Sequence, residues 1–131
     1  MAPRPTASGA DPRKILGDRG EQTAADFLAR SGMRIVERKF RCKGGEVDLI
    51  AKDGDDLVFV EVKTRSSLEF GEGSEAVTAA KRRRILRAAA LYLSARDSWS
   101  HPCRFDVVSV RFSPTGATLL EHLKDAFAAD R

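Results

Sequence analysis

Residues 45–63 read GEVDLIAKDGDDLVFVEVK, and this stretch predicts the centre of the fold. Two apolar runs, 46–51 and 57–63, are rich in Val, Ile, Leu and Phe. They flank a segment that contains Asp-Gly and Gly-Asp, the signals of a tight turn. This pattern is typical of a β-hairpin.

The acidic residues of the two runs face each other in either register that the turn allows. If the turn centres on residues 54 and 55, Asp48 lies directly opposite Glu61. If it centres on residues 53 and 54, Glu61 lies opposite Glu46 and diagonal to Asp48. Both registers place carboxylates on one face, with their β-carbons within about 5–8 Å.

Glu61 lies within a run of Val and Phe, and Lys63 shares its face because side chains alternate along a strand. A charge in such a run is costly unless something compensates it, and like charges at this separation destabilise a sheet. A divalent cation would reverse that effect, because hard cations such as Mg²⁺ select oxygen ligands. The alternative is a solvated hairpin face on which Lys63 neutralises Glu61, since surface ion pairs are common and weak.

The composition indicates one globular domain. The chain has 131 residues, of which 42% are hydrophobic and 32% charged, and its formal net charge is +4. No apolar run approaches the roughly 20 residues of a membrane span. Cys42 and Cys103 have no close-spaced partners, so we expect free thiols in a reducing cytoplasm. Residues 1–13 hold three prolines and no apolar signal core, which predicts a flexible tail before a single domain over 14–131.

The periodicity of the remaining chain predicts an α/β fold. Residues 14–31 have a helical pattern, 33–41 a weakly alternating strand pattern and 104–112 a fourth strand. Thr78 is suited to cap a helix that runs to about residue 96, with a core stripe of Ile85, Ala88, Ala89 and Tyr92. Residues 119–127 could be a strand end followed by a short helix. The order αβββαβ predicts a mixed four- to five-stranded sheet flanked by helices.

Glu21 belongs to the first helix, where alanines one turn further along place its carboxylate near the core-facing edge. The alternative is a boundary residue that reaches water. Gly17 and Gly20 are expected to let a strand approach this helix closely. Asp106 in the fourth strand is expected to cap or pair structurally, and His122 to lie on the surface of the terminal element.

The second helix begins with a cluster of cations: Lys81, Arg82, Arg83, Arg84 and Arg87. The helix dipole disfavours cations at this end, so an external anion would explain the cluster. A phosphate backbone fits, because helix amides and arginines both reach phosphates, and Arg65 could extend the patch. For any single arginine a solvated face is the ordinary interpretation. Aromatic residues suited to base stacking are sparse, so sequence-specific readout is not indicated.

The helical Glu21, the strand Asp48 and the Glu61-Val62-Lys63 triplet together resemble the PD-(D/E)XK nuclease pattern, the restriction endonuclease-like superfamily. In arrangement the chain is similar to the archaeal Holliday junction resolvases. It resembles still more closely the YraN-like family of uncharacterised bacterial proteins, over roughly residues 17–127. The motifs that carry this resemblance are Gly20-Glu21, residues 45–51, residues 59–65, Ala76-Val77, residues 81–84 and residues 104–107. One departure is Lys39, where the family usually has Asn.

The resemblance implies a metal-dependent endonuclease that acts on DNA, with branched or damaged DNA as candidate substrates. Asp48, Glu61 and the Val62 carbonyl would hold Mg²⁺ or Mn²⁺, and Glu21 would bind through water or accept a second ion. Lys63 would position or deprotonate the attacking water, or stabilise the charged phosphate. Gln22 could touch the substrate, the resolvases imply a homodimer, and Glu46 has no assigned role. Two other functions compete with this one: a nucleic-acid-binding module without turnover, and an interaction protein that uses the fold alone.

Overall fold

The computed structural model describes residues 11–66, 77–96 and 101–128. Two helices and five strands follow in the order α1 (Pro12–Arg30), β1 (Arg34–Cys42), β2 (Gly45–Asp53), β3 (Asp56–Ser66), α2 (Ala79–Ala95), β4 (Cys103–Phe112) and β5 (Thr118–Phe127). α1 begins two residues earlier than predicted because Asp11 caps it, accepting a hydrogen bond from the Arg13 N–H. The first ten residues of the predicted tail lie outside the described residues. Within the described ranges, no helix is long and apolar enough to cross a membrane.

The strands form one mixed five-stranded sheet in the order β1-β2-β3-β4-β5. β1, β2 and β3 are an antiparallel meander, α2 carries the chain across to β4, which runs parallel to β3, and β5 returns antiparallel. The predicted α/β class and mixed sheet are therefore confirmed. The short terminal helix is wrong, because residues 118–127 continue as a single strand along the edge of the sheet.

The β2–β3 hairpin adopts the register in which Asp48 and Glu61 are opposite. Asp53 pairs with Asp56 and Leu49 with Val60, so the turn centres on residues 54 and 55. Gly54 has a φ of +62°, a conformation that costs glycine little, which explains its place in the turn.

Each helix covers one face of the sheet. α1 packs mainly against β3 and β4 through a cluster that includes Leu28, Val60 and Val108, and α2 packs mainly against β2 through a cluster that includes Ile85, Phe59 and Tyr92. The four predicted core residues of α2 are all buried, which confirms the stripe.

Two glycines let the helices approach the sheet. A β-carbon on Gly20 of α1 would overlap the side chain of Thr64, and one on Gly45 of β2 would lie 2.7 Å from the Arg84 carbonyl oxygen of α2. Gly17 does not share this role, because nothing lies within 4 Å of the position its β-carbon would take. α1 is thus held close to β3 at Thr64, and α2 is held close to β2 at Gly45. These contacts fix the positions of the side chains that each helix directs toward the hairpin.

Candidate active site

Asp48 lies where strands β2 and β3 separate. The main-chain ladder between them ends at Leu49 and Val60. One residue further, the Asp48 carboxylate accepts a hydrogen bond of 2.8 Å from the Val62 N–H. A side chain thus replaces a main-chain partner at the point where the hairpin opens. Because the N–H and C=O of a strand residue point to the same side, the Val62 carbonyl also faces this opening.

Glu61 is the second acidic group of the opening and is only 6% exposed. The Lys81 ammonium of α2 lies 3.2 Å from its carboxylate. Lys63 had been the expected counter-charge in the alternative interpretation of the hairpin. The structure adds a counter-charge from the first turn of α2, through a contact between residues twenty positions apart in the sequence.

The pKa of Asp48 is raised from 3.8 to about 8, mainly because its carboxyl group is buried, and the negative charges of Glu61 and Glu21 act in the same direction. The hydrogen bond from the Val62 N–H and the charge of Lys81 oppose that rise. Since both neighbouring carboxylates disfavour ionisation of Asp48, the three acidic groups form one electrostatic unit.

Glu21 reaches this unit from α1, and its side chain is 18% exposed. The Lys39 ammonium lies 2.7 Å from the Glu21 carboxylate and 2.9 Å from Asp18. Hydrogen bonds to Asp18 and Glu21 raise the pKa of Lys39. Lys39 has a φ of +51°, which is unusual for lysine and suits the Asn expected there by resemblance. In the register of β1 and β2, Lys39 falls opposite Asp48, between the pairs Arg38–Leu49 and Phe40–Val47.

A cleft of about 280 Å³ opens beside Glu21 and Val62 and is also lined by Arg13, Leu16, Gly17 and Thr64. Sequence reasoning missed Lys39, Thr64 and Arg13 as neighbours of the acidic groups. The one sequence signal among these three was at Lys39, where the resemblance leads us to expect Asn.

The donor set of the opening fits a hard divalent cation. Among the described residues, no three His, Cys, Asp or Glu side chains converge closely enough to enclose a metal ion. Mg²⁺ does not require such a cage, because it commonly binds one or two carboxylates, keeps several waters and completes its shell with substrate phosphate. Asp48, Glu61 and the Val62 carbonyl would be its ligands. Burial and, next, repulsion from Glu61 raise the pKa of Asp48, and this cost of a buried negative charge is the observation that favours a cation there.

The cations of α2 are already engaged within the molecule. The guanidinium groups of Arg82, Arg84 and Arg87 contact the Val77 carbonyl at 2.8 Å, the Glu46 carboxylate at 3.2 Å and the Lys43 carbonyl at 3.4 Å, respectively. Arg83 is exposed. Glu46, which had no assigned role, is therefore an ion-pair partner of α2. The Gln22 amide donates to Asp26 and accepts from Arg38, both at 2.8 Å.

Asp106 anchors a second, separate charge network at the β4–β5 side of the sheet. It is fully buried, and its carboxylate contacts Arg104 at 3.0 Å and His122 at 2.8 Å and accepts a 3.0 Å hydrogen bond from the Asp125 N–H. The structural role expected for Asp106 is confirmed. The surface position expected for His122 is wrong, because its ring packs edge-on against Phe27 and is 10% exposed.

Comparison with known proteins places this arrangement in a family. The profile described as "Uncharacterised protein family UPF0102" matches residues 20–110. The chain is 53% identical over 114 residues to a UPF0102 protein of Symbiobacterium thermophilum, covering 87% of this chain and 97% of the relative. It is 45% identical to a UPF0102 protein of Geobacter sulfurreducens, covering 94% and 96%.

Among solved structures, SfsA of Pyrococcus furiosus in complex with Ca²⁺ is similar with a TM-score of 0.42 and 11% identity. The match covers 86% of this chain and 63% of the SfsA chain, and it is too distant to support an argument. The sequence matches decide the assignment: the chain belongs to the UPF0102 family, which is the YraN-like family that its motifs resemble.

Proposed function

We propose that this chain is a nuclease that uses Mg²⁺ or Mn²⁺ to hydrolyse phosphodiester bonds in DNA, with branched or damaged structures as the candidate substrates. The observation that carries the proposal is the Asp48–Glu61 pair at the opening of the β2–β3 hairpin, where burial, together with repulsion from Glu61, raises the pKa of Asp48 to about 8. A fold that needed this sheet only for support would gain nothing from such repulsion.

Asp48, Glu61 and the Val62 carbonyl hold the cation in this proposal. When bound, a divalent ion lowers the pKa of water and stabilises negative charge on a phosphoryl group. The residues themselves fix its position: the Val62 N–H holds the Asp48 carboxylate at 2.8 Å, and burial holds Glu61 within the sheet. Glu21, oriented by Lys39, contributes through a water molecule.

In this proposal Lys63 acts on the reacting groups. It follows Glu61 by two residues in β3, so the two side chains share a face of the strand. An ammonium group there can hold the attacking water by a hydrogen bond or neutralise charge on a phosphate oxygen. Lys63 also pairs with Ser109 in the parallel ladder, which fixes its main chain in the centre of the sheet.

The start of α2 and Arg65 are the proposed phosphate contacts, and in the α2 cluster Lys81, Arg83, Arg84 and Arg87 are exposed. Arginine and lysine contacts to phosphates position a nucleic acid without reading its sequence, so binding should weaken steeply with salt. The two cysteines are free, in agreement with action in the reducing cytoplasm.

The test is cleavage of branched, nicked and single-stranded DNA, with RNA as a further arm, in Mg²⁺ and in Mn²⁺. We expect wild type to cut at least one DNA, and Asp48→Asn and Glu61→Gln to lose at least 100-fold in rate, about 3 kcal/mol. Asp55→Asn, a change in the exposed hairpin turn, is the matched control. If no substrate is cut, or if Asp48→Asn cuts as well as wild type, the proposal fails. Salt-sensitive binding without cleavage, unaffected by Glu61→Gln, would instead identify a binding module.

A further inference from the structure

We propose that Lys81 is an exchangeable counter-cation: its ammonium group neutralises the Asp48–Glu61 pair while no metal is bound, and it leaves for the substrate phosphate when a divalent cation takes its place. This inference rests on the proposed function and adds to it a residue that couples metal binding to substrate binding.

Lys81 lies at an unfavourable place for a cation. It belongs to the first turn of α2, where its N–H donates to the Thr78 hydroxyl oxygen at 3.1 Å, and this turn holds no acidic residue. The positive end of the helix dipole therefore repels the ammonium group. Burial also opposes the charge on Lys81, but the compensation comes from outside the helix, because the negative charges of Glu61, Asp48 and Glu46 raise the pKa of Lys81 on balance.

In the Lys81–Glu61 ion pair, Lys81 is the partner that can move away. Glu61 is held within the sheet with an exposed side-chain fraction of 8%, whereas the Lys81 side chain is 46% exposed. A lysine has a flexible four-carbon stem, so its head group can move several ångströms while its main chain stays in α2. Displacement therefore moves the ammonium group toward solvent on the side of α2 that Lys81 shares with Arg84, three residues further on, where a phosphate would approach.

Lys39 provides a contrast on the other side of the opening. Its ammonium group is held by two carboxylates, those of Glu21 and Asp18, and it is therefore the fixed cation of the site. Within the described part of the chain, the ion pair of Lys81 is with a single carboxylate, that of Glu61. A dication between Asp48 and Glu61 would repel both ammonium groups, and Lys81 is the one free to respond.

The first measurement is Mn²⁺ affinity by isothermal titration calorimetry. Lys81→Gln should bind Mn²⁺ about tenfold more tightly than wild type, a typical coupling between two sites. Lys81→Arg keeps the charge and should stay within about twofold of wild type. Lys124→Gln removes one positive charge from the exposed face of β5 and is the matched control. Equal or weaker binding by Lys81→Gln would overturn the inference.

The second measurement uses the wild-type chain and does not depend on how variants fold. Mass spectrometry can follow acetylation of each lysine with and without Mg²⁺. Release of the ammonium group should raise the rate at Lys81 severalfold and leave Lys124 unchanged. An unchanged rate at Lys81 in saturating Mg²⁺ would count against exchange.

The outcomes separate this inference from the proposed function. If wild type and Lys81→Gln bind Mn²⁺ equally while Asp48→Asn binds none, the metal site stands and the exchange is refuted. If Lys81→Gln binds more tightly but no nucleic acid is cut, the exchange stands and the nuclease proposal fails. If no variant binds Mn²⁺, both are refuted.

Discussion

Replacing Asp48 with Asn should change how the stability of the metal-free protein depends on pH. The unfolded chain releases the Asp48 proton near pH 3.8, whereas the fold holds it up to about pH 8. The folded state therefore binds more protons between these values, and its stability falls as pH rises through that window. Each unit of pH costs about 1.4 kcal/mol for one fully retained proton, so wild type should lose roughly 2–3 kcal/mol between pH 5 and pH 7 from this group.

The assay is urea denaturation in EDTA at pH 5, 6 and 7. Asn can still accept the hydrogen bond from Val62 but has no proton to lose, so Asp48→Asn should lack this part of the slope and be more stable than wild type at pH 7. In a domain of this size the corresponding shift in Tm is roughly 5–15 °C. Asp55→Asn should follow wild type. If wild type and Asp48→Asn lose stability in parallel from pH 5 to pH 7, Asp48 is ionised in the fold and the electrostatic argument for the site is wrong.

Three further changes test the architecture by urea denaturation. Gly45→Ala forces a β-carbon against the backbone of α2 and should cost about 1–3 kcal/mol, whereas Gly17→Ala meets open space and should stabilise α1 by roughly 0.5–1 kcal/mol; equal effects would refute the packing. Asp106→Asn removes the fully buried anion of Arg104, which then keeps only the more exposed Asp53 and Asp56, and should cost about 3–5 kcal/mol, against less than about 1 kcal/mol for Asp53→Asn. Lys39→Asn should be more stable than Lys39→Ala by about 0.5–1 kcal/mol, because both variants lose the ion pairs of Lys39 but Asn tolerates the positive φ; a reversed order would refute this argument from backbone conformation.

The local parts of the fold were predictable because their signals are local. The hairpin follows from two apolar runs around a Gly-containing turn, and α2 follows from Thr78 and its apolar stripe, which the structure reproduces. The register was undecided in the sequence, because Asp53-Gly54 and Gly54-Asp55 are both acceptable turn centres. The structure selects the second, and only then do Asp48 and Glu61 become direct neighbours.

The failures share a physical cause, which is contact between residues distant in the chain. The pairing of Lys81 with Glu61 and of Lys39 with Glu21 depends on where α2 and β1 dock, and no spacing in the sequence encodes that. Likewise β5 remains a strand because β4 offers it a pairing edge, and His122 is largely buried because its Nε2 lies 2.8 Å from the Asp106 carboxylate of the adjacent strand. The assigned roles of the site residues remain predictions.

The parallel pairing of β3 with β4 implies an order in which the parts of the sheet form during folding. The acidic pair belongs to a hairpin whose strands are joined by a two-residue turn, while Leu57 meets Cys103 only after α2 has been laid across the sheet. Short loops close faster than long ones, so Asp48 and Glu61 should meet before Lys81 arrives to neutralise them. Refolding should therefore be slower at alkaline pH and faster with divalent ions. The refolding rate would then depend on the charges of Asp48 and Glu61, the same charges that form the candidate site of the folded protein.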